Sequence, residues 1–371
     1  MEPTASRLFS PFDLRSVRFR NRIGVSPMCM YACGPDGLAT PWHMVHLGMR
    51  APGGAGLVVA EATAVAPHAR ISPADLGLWS RAHADAFAPI TQFISGQGCV
   101  PGIQLAHAGR KGSTRSPWIG RDAVPESEGG WQVQAPSPLL FSPLNAMPRE
   151  MSGADIARTI GEFGAAAGLA FEAGFRYVEL HLGHGYLAHQ FLSPLTNRRT
   201  DDWGGDFDGR TRFARELAKA ARAAWPDELP LAARLSITDW VEGGWTADEA
   251  VRLAGLLGEA GVDLVVCSSG AIVPGAMPPD GPIMQLSFAA RVRAQAGVAS
   301  GAVGQITEAA QAEQIIASGG ADLVFLARAM LRDPFWAVHA AEALGAPAPW
   351  PIAYDRAVGQ RQGRVQRPQR P

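Results

Sequence analysis

The sequence predicts an α/β chain closed into a (β/α)8 TIM barrel, with a lid-like insertion after the third strand. Three observations carry that expectation. Short apolar runs alternate with longer amphipathic segments, the pattern of successive βα units. The runs number eight, which favours closure over an open doubly wound sheet. Polar hydrogen-bonding residues cluster past the C-terminal ends of the runs, the rim where barrels keep their chemistry.

The predicted strands are 22–26, 56–63, 101–107, 177–182, 231–236, 262–268, 298–303 and 322–326. Continuous apolar character, as in Leu57-Val58-Val59-Ala60, fits parallel strands buried on both faces. Thr246-Ala247-Asp248-Glu249 is a capping-box signature that opens a helix over the periodic run 251–257. Ser152 to Asp155 opens another, running to about Ala173. Gly174, Gly261 and Gly320 stand where helices stop just before strands. One domain is expected over 1–358. Within it, 113–151 is rich in Pro, Gly and Trp and has no period, as lids and binding loops often are. The end, 359–371, has four arginines and no acid and reads as a disordered basic tail.

Composition excludes several classes. Of 371 residues, 47% are hydrophobic and 18% charged, so a large core is available and global disorder is not expected. The net charge of −1 favours neither nucleic acid nor a membrane surface as partner. Cys29, Cys33, Cys99 and Cys267 form no disulfide framework or metal spacing, which suits reduced thiols in a cytoplasm. No leader is expected at the N-terminus, and no run approaches the roughly 20 apolar residues of a membrane span.

The rim is built from the residues at and just past each strand end. In order these are Ser26-Pro27-Met28-Cys29-Met30-Tyr31, Glu61-Ala62-Thr63, Gln104-Leu105-Ala106-His107, and His181-Leu182-Gly183-His184-Gly185-Tyr186. Then come Arg234, Cys267-Ser268-Ser269-Gly270, Gly301-Ala302-Val303-Gly304 and Ala327-Arg328. Carboxylates are scarce: Glu61 is the main candidate, Asp239 lies past strand five and Glu179 inside strand four. Hydrolytic metal barrels need several acidic or histidine ligands, so no metal site is expected. Amides, imidazoles, a thiol and one arginine better suit an organic cofactor. Gly301, Gly304 and Arg328 stand after strands seven and eight, where barrel enzymes hold phosphate.

At these residues the chain resembles the old yellow enzyme family, in particular its bacterial xenobiotic reductase and thermophilic-like ene-reductase branch. The likeness runs from Leu8-Phe9-Ser10-Pro11 to Tyr354-Asp355-Arg356. It includes Asn21-Arg22-Ile23, Gln104-Leu105-Ala106-His107-Ala108-Gly109-Arg110-Lys111, Glu179 through Leu187, and Asn197-Arg198-Arg199-Thr200-Asp201-Asp202-Trp203-Gly204-Gly205. The resemblance implies non-covalent FMN on the C-terminal rim, with NADPH or NADH as electron donor. Ser26, Pro27, Met28, Cys29, Ala62, Gln104 and Arg234 would contact the flavin ring. Ala302, Val303, Gly304, Ala327 and Arg328 would hold its phosphate. Ala327 departs from the family, which usually has glycine before the arginine; the methyl fits only if φ is negative there.

The resemblance further implies an ene-reductase acting on enones and related electron-poor alkenes, nitro compounds included. His181 and His184 would donate hydrogen bonds to the substrate oxygen, and Tyr186 would protonate the α-carbon. Tyr31 would line the substrate pocket. Cys29 would tune the flavin and substrate contacts without acting as a nucleophile. Trp350 and Arg356 resemble a C-terminal segment that reaches a neighbouring active site, so a homodimer or homotetramer is expected. Three alternatives stand against this reading. A flavin–iron-sulfur reductase would need about four cluster thiolates, and only Cys267 lies beyond Cys99. A metal hydrolase would use His181 and His184 as ligands. A non-catalytic protein would only bind flavin.

Overall fold

The computed structural model describes residues 6–276 and 283–358; the basic tail at 359–371 lies outside the described residues. Eight parallel strands close on themselves. They are β1 (Ile23–Val25), β2 (Leu57–Ala64), β3 (Val100–Ala106), β4 (Tyr177–Leu182), β5 (Leu231–Ser236), β6 (Leu264–Ser268), β7 (Ala299–Val303) and β8 (Leu323–Leu326). Each pairs with the next, and β8 pairs with β1. All eight predicted strands are present, β4 and β5 with both ends as predicted and the others with no end moved by more than two residues. Burial explains their legibility: β2, β3, β4, β5, β6 and β8 are buried at every position.

The outer ring is α1 (Pro41–Arg50), α2 (Arg81–Gly96), α3 (Gly153–Glu172), α4 (Phe207–Ala224), α5 (Ala247–Glu259), α6 (Ile283–Ala296), α7 (Ala309–Ala317) and α8 (Trp336–Ala343). Short helices Leu187–Leu192 and Arg328–Arg332 sit directly above β4 and β8. The expected box opens α5: the Glu249 amide donates to Thr246 Oγ1, and the Thr246 amide donates to Glu249 Oε2 at 3.0 Å. Ser152 and Asp155 do the same for α3. Gly174 (φ 89°) and Gly261 (φ 95°) are left-handed helix stops as expected. After α7 the expectation fails by one residue. Ser318 is the cap, so the left-handed residue beyond it is Gly319 (φ 73°), not Gly320.

The barrel interior is fitted around a few large rings. Phe325 of β8 lies between Gly24 of β1 and Gly301 of β7; a Cβ on either glycine would come within 2.8 Å or 2.7 Å of the ring. An N-terminal hairpin, Phe12–Leu14 with Val17–Phe19, covers the opposite end, where Phe19 meets Tyr177 edge to face. The register of β2 against β3 shifts between Ala60 and Ala62, leaving Glu61 as the bulged residue.

The insertion at 113–151 is mostly irregular. It holds a bridge between Thr114 and Ala123 and a two-residue pairing of Gln134–Ala135 with Arg149–Glu150. Arg110 ties it down by donating to the Leu139 and Leu140 carbonyls, and reaches the Ile272 carbonyl after β6 at 2.7 Å. Gly24→Ala should lower unfolding stability by about 1–3 kcal/mol, because the ring of Phe325 is buried and flanked by Gly301 on its other side. Urea unfolding of native and variant protein measures it.

Candidate active site

Two imidazoles and a phenol meet above β4. His181 is the penultimate residue of the strand, and His184 and Tyr186 lie in the turn that leads into Leu187–Leu192. The ring of His181 lies 5.0 Å from that of His184 and 5.0 Å from that of Tyr186, edge to face in both cases. Local backbone forces the arrangement. His184 sits at φ 56°, strained for a residue with a side chain, and Gly185 at φ 72° leaves no room for a Cβ against the Ala271 carbonyl. The Ser236 hydroxyl accepts from the His184 amide at 2.9 Å and holds the turn to β5.

Hydrogen bonding assigns the tautomers. The Gly183 amide donates to His181 Nδ1, so the proton of His181 is on Nε2, which lies 3.3 Å from His184 Nδ1. Ser268 at the end of β6 holds His184 Nε2 at 2.7 Å. With His181 Nε2 donating to His184 Nδ1, the proton of His184 is on Nε2 and goes to the Ser268 hydroxyl. An oxygen acceptor placed here takes the His181 proton and, once the serine turns to donate, that of His184 Nδ1. Burial, reinforced by the positive field of Arg234, pushes both imidazoles well below their ordinary value. They are neutral donors. Burial pushes the Tyr186 phenol well upward, so it keeps its proton.

Arg234 of β5 is buried beside them. Its Nη1 donates to Ser26 Oγ at 2.7 Å, and Glu179 of β4 supplies the opposing charge. Glu179 accepts from Gln104 Nε2 at 2.6 Å and from the Tyr177 hydroxyl at 3.2 Å. Arg234 Nε is buried with no partner. One donor of Gln104 is therefore committed to Glu179, and its remaining amide groups are free for a ligand.

The loop after β1 carries the remaining ring-side candidates. Ser26 is buried and its amide donates to the Leu326 carbonyl, fastening the loop to β8. Cys29 and Tyr31 share a hydrogen bond, and burial holds the Cys29 thiol well above its ordinary value. It is a thiol at neutral pH, not a thiolate. Tyr31 sits at φ 49°, a second strained residue. The bulged Glu61 turns to His43 of α1 at 3.0 Å and accepts from the Met30 amide, bracing this loop from behind. Ala62 beside it faces a small cavity shared with Tyr186.

Past β7 and β8, Val303, Gly304, Ala327 and Arg328 line a cavity of about 530 Å³. Ala302 is buried just beneath. Gly304 has φ 121°, open to glycine alone, and Ala327 has φ −107° with ψ −90°, a negative φ but outside the regular helical and extended regions. Arg328 is exposed and forms no ion pair among the described residues. Ala327 thus meets the condition of a negative φ.

Trp350 and Arg356 do not join this group within one chain. Trp350 packs on Phe335, His339 and Tyr354 and donates to Glu342 at 2.9 Å; Arg356 lies exposed in the final turn, Asp355–Val358. Sequence reasoning missed Lys111. Its ammonium donates to the His184 carbonyl at 2.8 Å and the Ala271 carbonyl at 3.2 Å. It also lies 4.5 Å from the Phe141 ring of the insertion and 5.1 Å from the Tyr186 ring. Burial lowers it to about 8. Its rarity, as one of two lysines, was the available signal. His189 and Asp239, 2.8 Å apart and fully buried, were also missed as a pair; the Gly185 amide donates to His189.

Residues 7–346 match the NADH:flavin oxidoreductase / NADH oxidase family. The chain belongs to this family. Its members, the old yellow enzymes, use FMN and a nicotinamide donor, and this one is a flavin oxidoreductase of the NADPH dehydrogenase type. It is 44% identical to the NADPH dehydrogenase of Bacillus subtilis (strain 168) over 95% of this chain and 99% of that one. It is equally identical, at 44%, to the NADPH dehydrogenase of Geobacillus sp. (strain WCH70), over 94% and 98%. Morphinone reductase superposes with a TM-score of 0.76 at 25% identity, over 93% and 91%. A 2-naphthoyl-CoA reductase in complex with 2-naphthoyl-CoA gives 0.82 at 26%, over 92% of this chain; this chain spans 52% of that one.

The residues present fit FMN. Arg234 offers an unpartnered buried donor on one side of the rim, and Arg328 offers an unpaired cation beside Gly304 on the other. Among the described residues no helix is long and apolar enough to cross a membrane. Lys111→Met should free the insertion from the 183–186 turn, since each hydrogen bond to a charged group is worth about 1.5–3 kcal/mol. Limited proteolysis should then cut within 113–151 faster than in the native protein.

Proposed function

We propose that this old yellow enzyme is an ene-reductase, reducing the activated C=C bond of enones and related electron-poor alkenes, nitro compounds included, at the expense of NADPH or NADH. The observation that carries the reading is the convergence of two neutral imidazoles and a protonated phenol beside a buried guanidinium. The names of its structural relatives, morphinone reductase and 2-naphthoyl-CoA reductase, are those of reductases.

Bound FMN supplies the chemistry of hydride acceptance from the nicotinamide and hydride donation to the alkene. The chain does the rest. Ser26, Pro27, Met28, Cys29, Ala62, Gln104 and Arg234 bind the ring, and Ala302, Val303, Gly304, Ala327 and Arg328 bind the phosphate. Arg234 keeps a fixed positive charge on the side of the rim that gains electrons. His181 Nε2 and His184 Nδ1 donate to the substrate's carbonyl or nitro oxygen. As charge builds on that oxygen both bonds strengthen, which draws electron density from the β-carbon. Tyr186 Oη holds a proton that burial makes hard to release to water, and gives it to the α-carbon when that carbon becomes basic. Tyr31 and Cys29 line the pocket, and Phe141 with Lys111 covers it from the insertion side.

The cysteines are all free, in keeping with a reducing cytoplasm. For assembly, α1 exposes Trp42, Val45 and Met49 on one face, and Ile352 and Tyr354 are exposed in the C-terminal segment. These surfaces suit an even-numbered homo-oligomer in which Trp350 and Arg356 reach the neighbour's site.

Anaerobic NADPH should bleach the yellow protein and cyclohexenone should restore it; failure of both leaves a flavin binder. Colourless protein carrying zinc would sink the reading. His181→Ala and His184→Ala should each slow alkene reduction, one lost donor of this kind costing about 2.7–4 kcal/mol. Tyr186→Phe should slow alkene reduction while flavin reduction by NADPH stays native; equal loss in both would refute the donor role. Because both imidazoles stay neutral well below 6.5, phenol binding should hold its strength as pH falls through that value. Spectral titration with a substituted phenol reads this directly.

A further inference from the structure

Asp75 is a buried carboxyl for which alkene reduction as proposed has no use. It lies in the loop after β2. Its Oδ1 accepts from the Ser72 amide (3.1 Å) and hydroxyl (2.9 Å), and its Oδ2 from the Ile71 amide (2.7 Å). Those bonds cap a turn, filling Oδ1 and leaving one lone pair of Oδ2 uncommitted. A cavity of about 10 Å³ separates Asp75 from Tyr186, walled by Ala62, Ala64, Ala106 and Ala108. That is room for about one water. Asp75 and Tyr186 are the two polar side chains in its wall.

The charges around Asp75 favour a proton on it. Glu61 of β2 adds negative charge, while Cys29, Tyr31 and Cys33 face it as neutral acids. Arg70, on the same loop, is the cation in reach, and its guanidinium donates to the carbonyls of Pro35, Pro67 and Pro73. Burial outweighs the turn's hydrogen bonds and raises the Asp75 carboxyl to about 7.

We propose that Asp75 is the proton source behind Tyr186, acting through a water in this cavity. The proposal rests on Tyr186 being the acid. The Tyr186 O–H bond breaks as a C–H bond forms at the α-carbon. A water O–H bond breaks as the tyrosine O–H reforms, and the Asp75 O–H bond breaks as the water is restored. No electrons change owner in this relay, and the carboxylate regains its proton from solvent between turnovers. The phenol thereby avoids standing as a buried anion.

Stopped-flow reoxidation of NADPH-reduced enzyme by cyclohexenone across pH tests this. The neutral acid is the competent form, so the native rate should fall as pH rises through about 7. Asp75→Asn keeps the acceptor that serves Ser72, gives up the one that serves the Ile71 amide, and carries no titratable proton. It should lower the rate by about 10²-fold and abolish the falling limb. Flavin reduction by NADPH and reoxidation by dioxygen, which protonate no carbon, should stay native in the variant. Independently of turnover, a protonated-carboxyl infrared band should titrate near 7 and be missing from Asp75→Asn. A variant that keeps the native rate or the native limb, or a native enzyme without that band, overturns the relay. Should Asp75→Asn fail to fold, Ala106→Val fills the cavity from β3 with both acids in place; it must lose the limb, and retention overturns the relay. Undiminished alkene reduction by Tyr186→Phe would instead overturn the donor reading itself, and the relay with it.

Discussion

The site is organised by one buried guanidinium. Arg234 at the heart of the rim cannot shed its charge, so everything near it adjusts. Glu179 is retained as its counter-charge, and Ser26 is drawn across the barrel from the first loop. Its field adds to burial in keeping His181 and His184 neutral, which makes them hydrogen-bond donors in place of cations. A neutral donor pair tightens only when charge appears on its guest. A cationic pair would bind any anion, product or buffer alike.

Strain at the mouth serves the same end. Tyr31 and His184 both occupy the left-handed region, and each such residue costs of order 1–3 kcal/mol unless its surroundings insist on it. Here they do. The Met30 amide is taken by Glu61, and the His184 amide and carbonyl are taken by Ser236 and Lys111. The side chains that would touch substrate are thus oriented before substrate arrives, and little ordering entropy remains to be lost on binding.

What could be read from the sequence divides by range. The strands were legible because each is a short, mostly apolar run that is buried almost throughout, and the capping boxes because they close within four residues. His181, His184, Tyr186 and Arg234 were legible from their addresses at strand ends, and the structure brings them together. Contacts between distant segments were not legible. Gly24 and Gly301 are small because of Phe325, which belongs to another strand. Lys111 matters because three loops meet at its ammonium, and no local pattern announces such a meeting. Asp75 looks like any turn aspartate until the empty space behind it is seen. The stop after α7 was misread by one residue because Gly319 and Gly320 are adjacent and only the helix phase decides between them.

The bulge in β2 has a lasting consequence for how this chain can vary. One surplus residue sends Glu61 outward to a histidine and leaves the neighbouring alanine facing the pocket. Deleting a single residue there would restore an even pleat and exchange the two faces. A carboxylate would then confront an electron-rich ring, and the loop bearing the thiol would lose its brace. Length in this strand is therefore under tighter constraint than residue identity, and insertions or deletions tolerated elsewhere on the rim would be purged here.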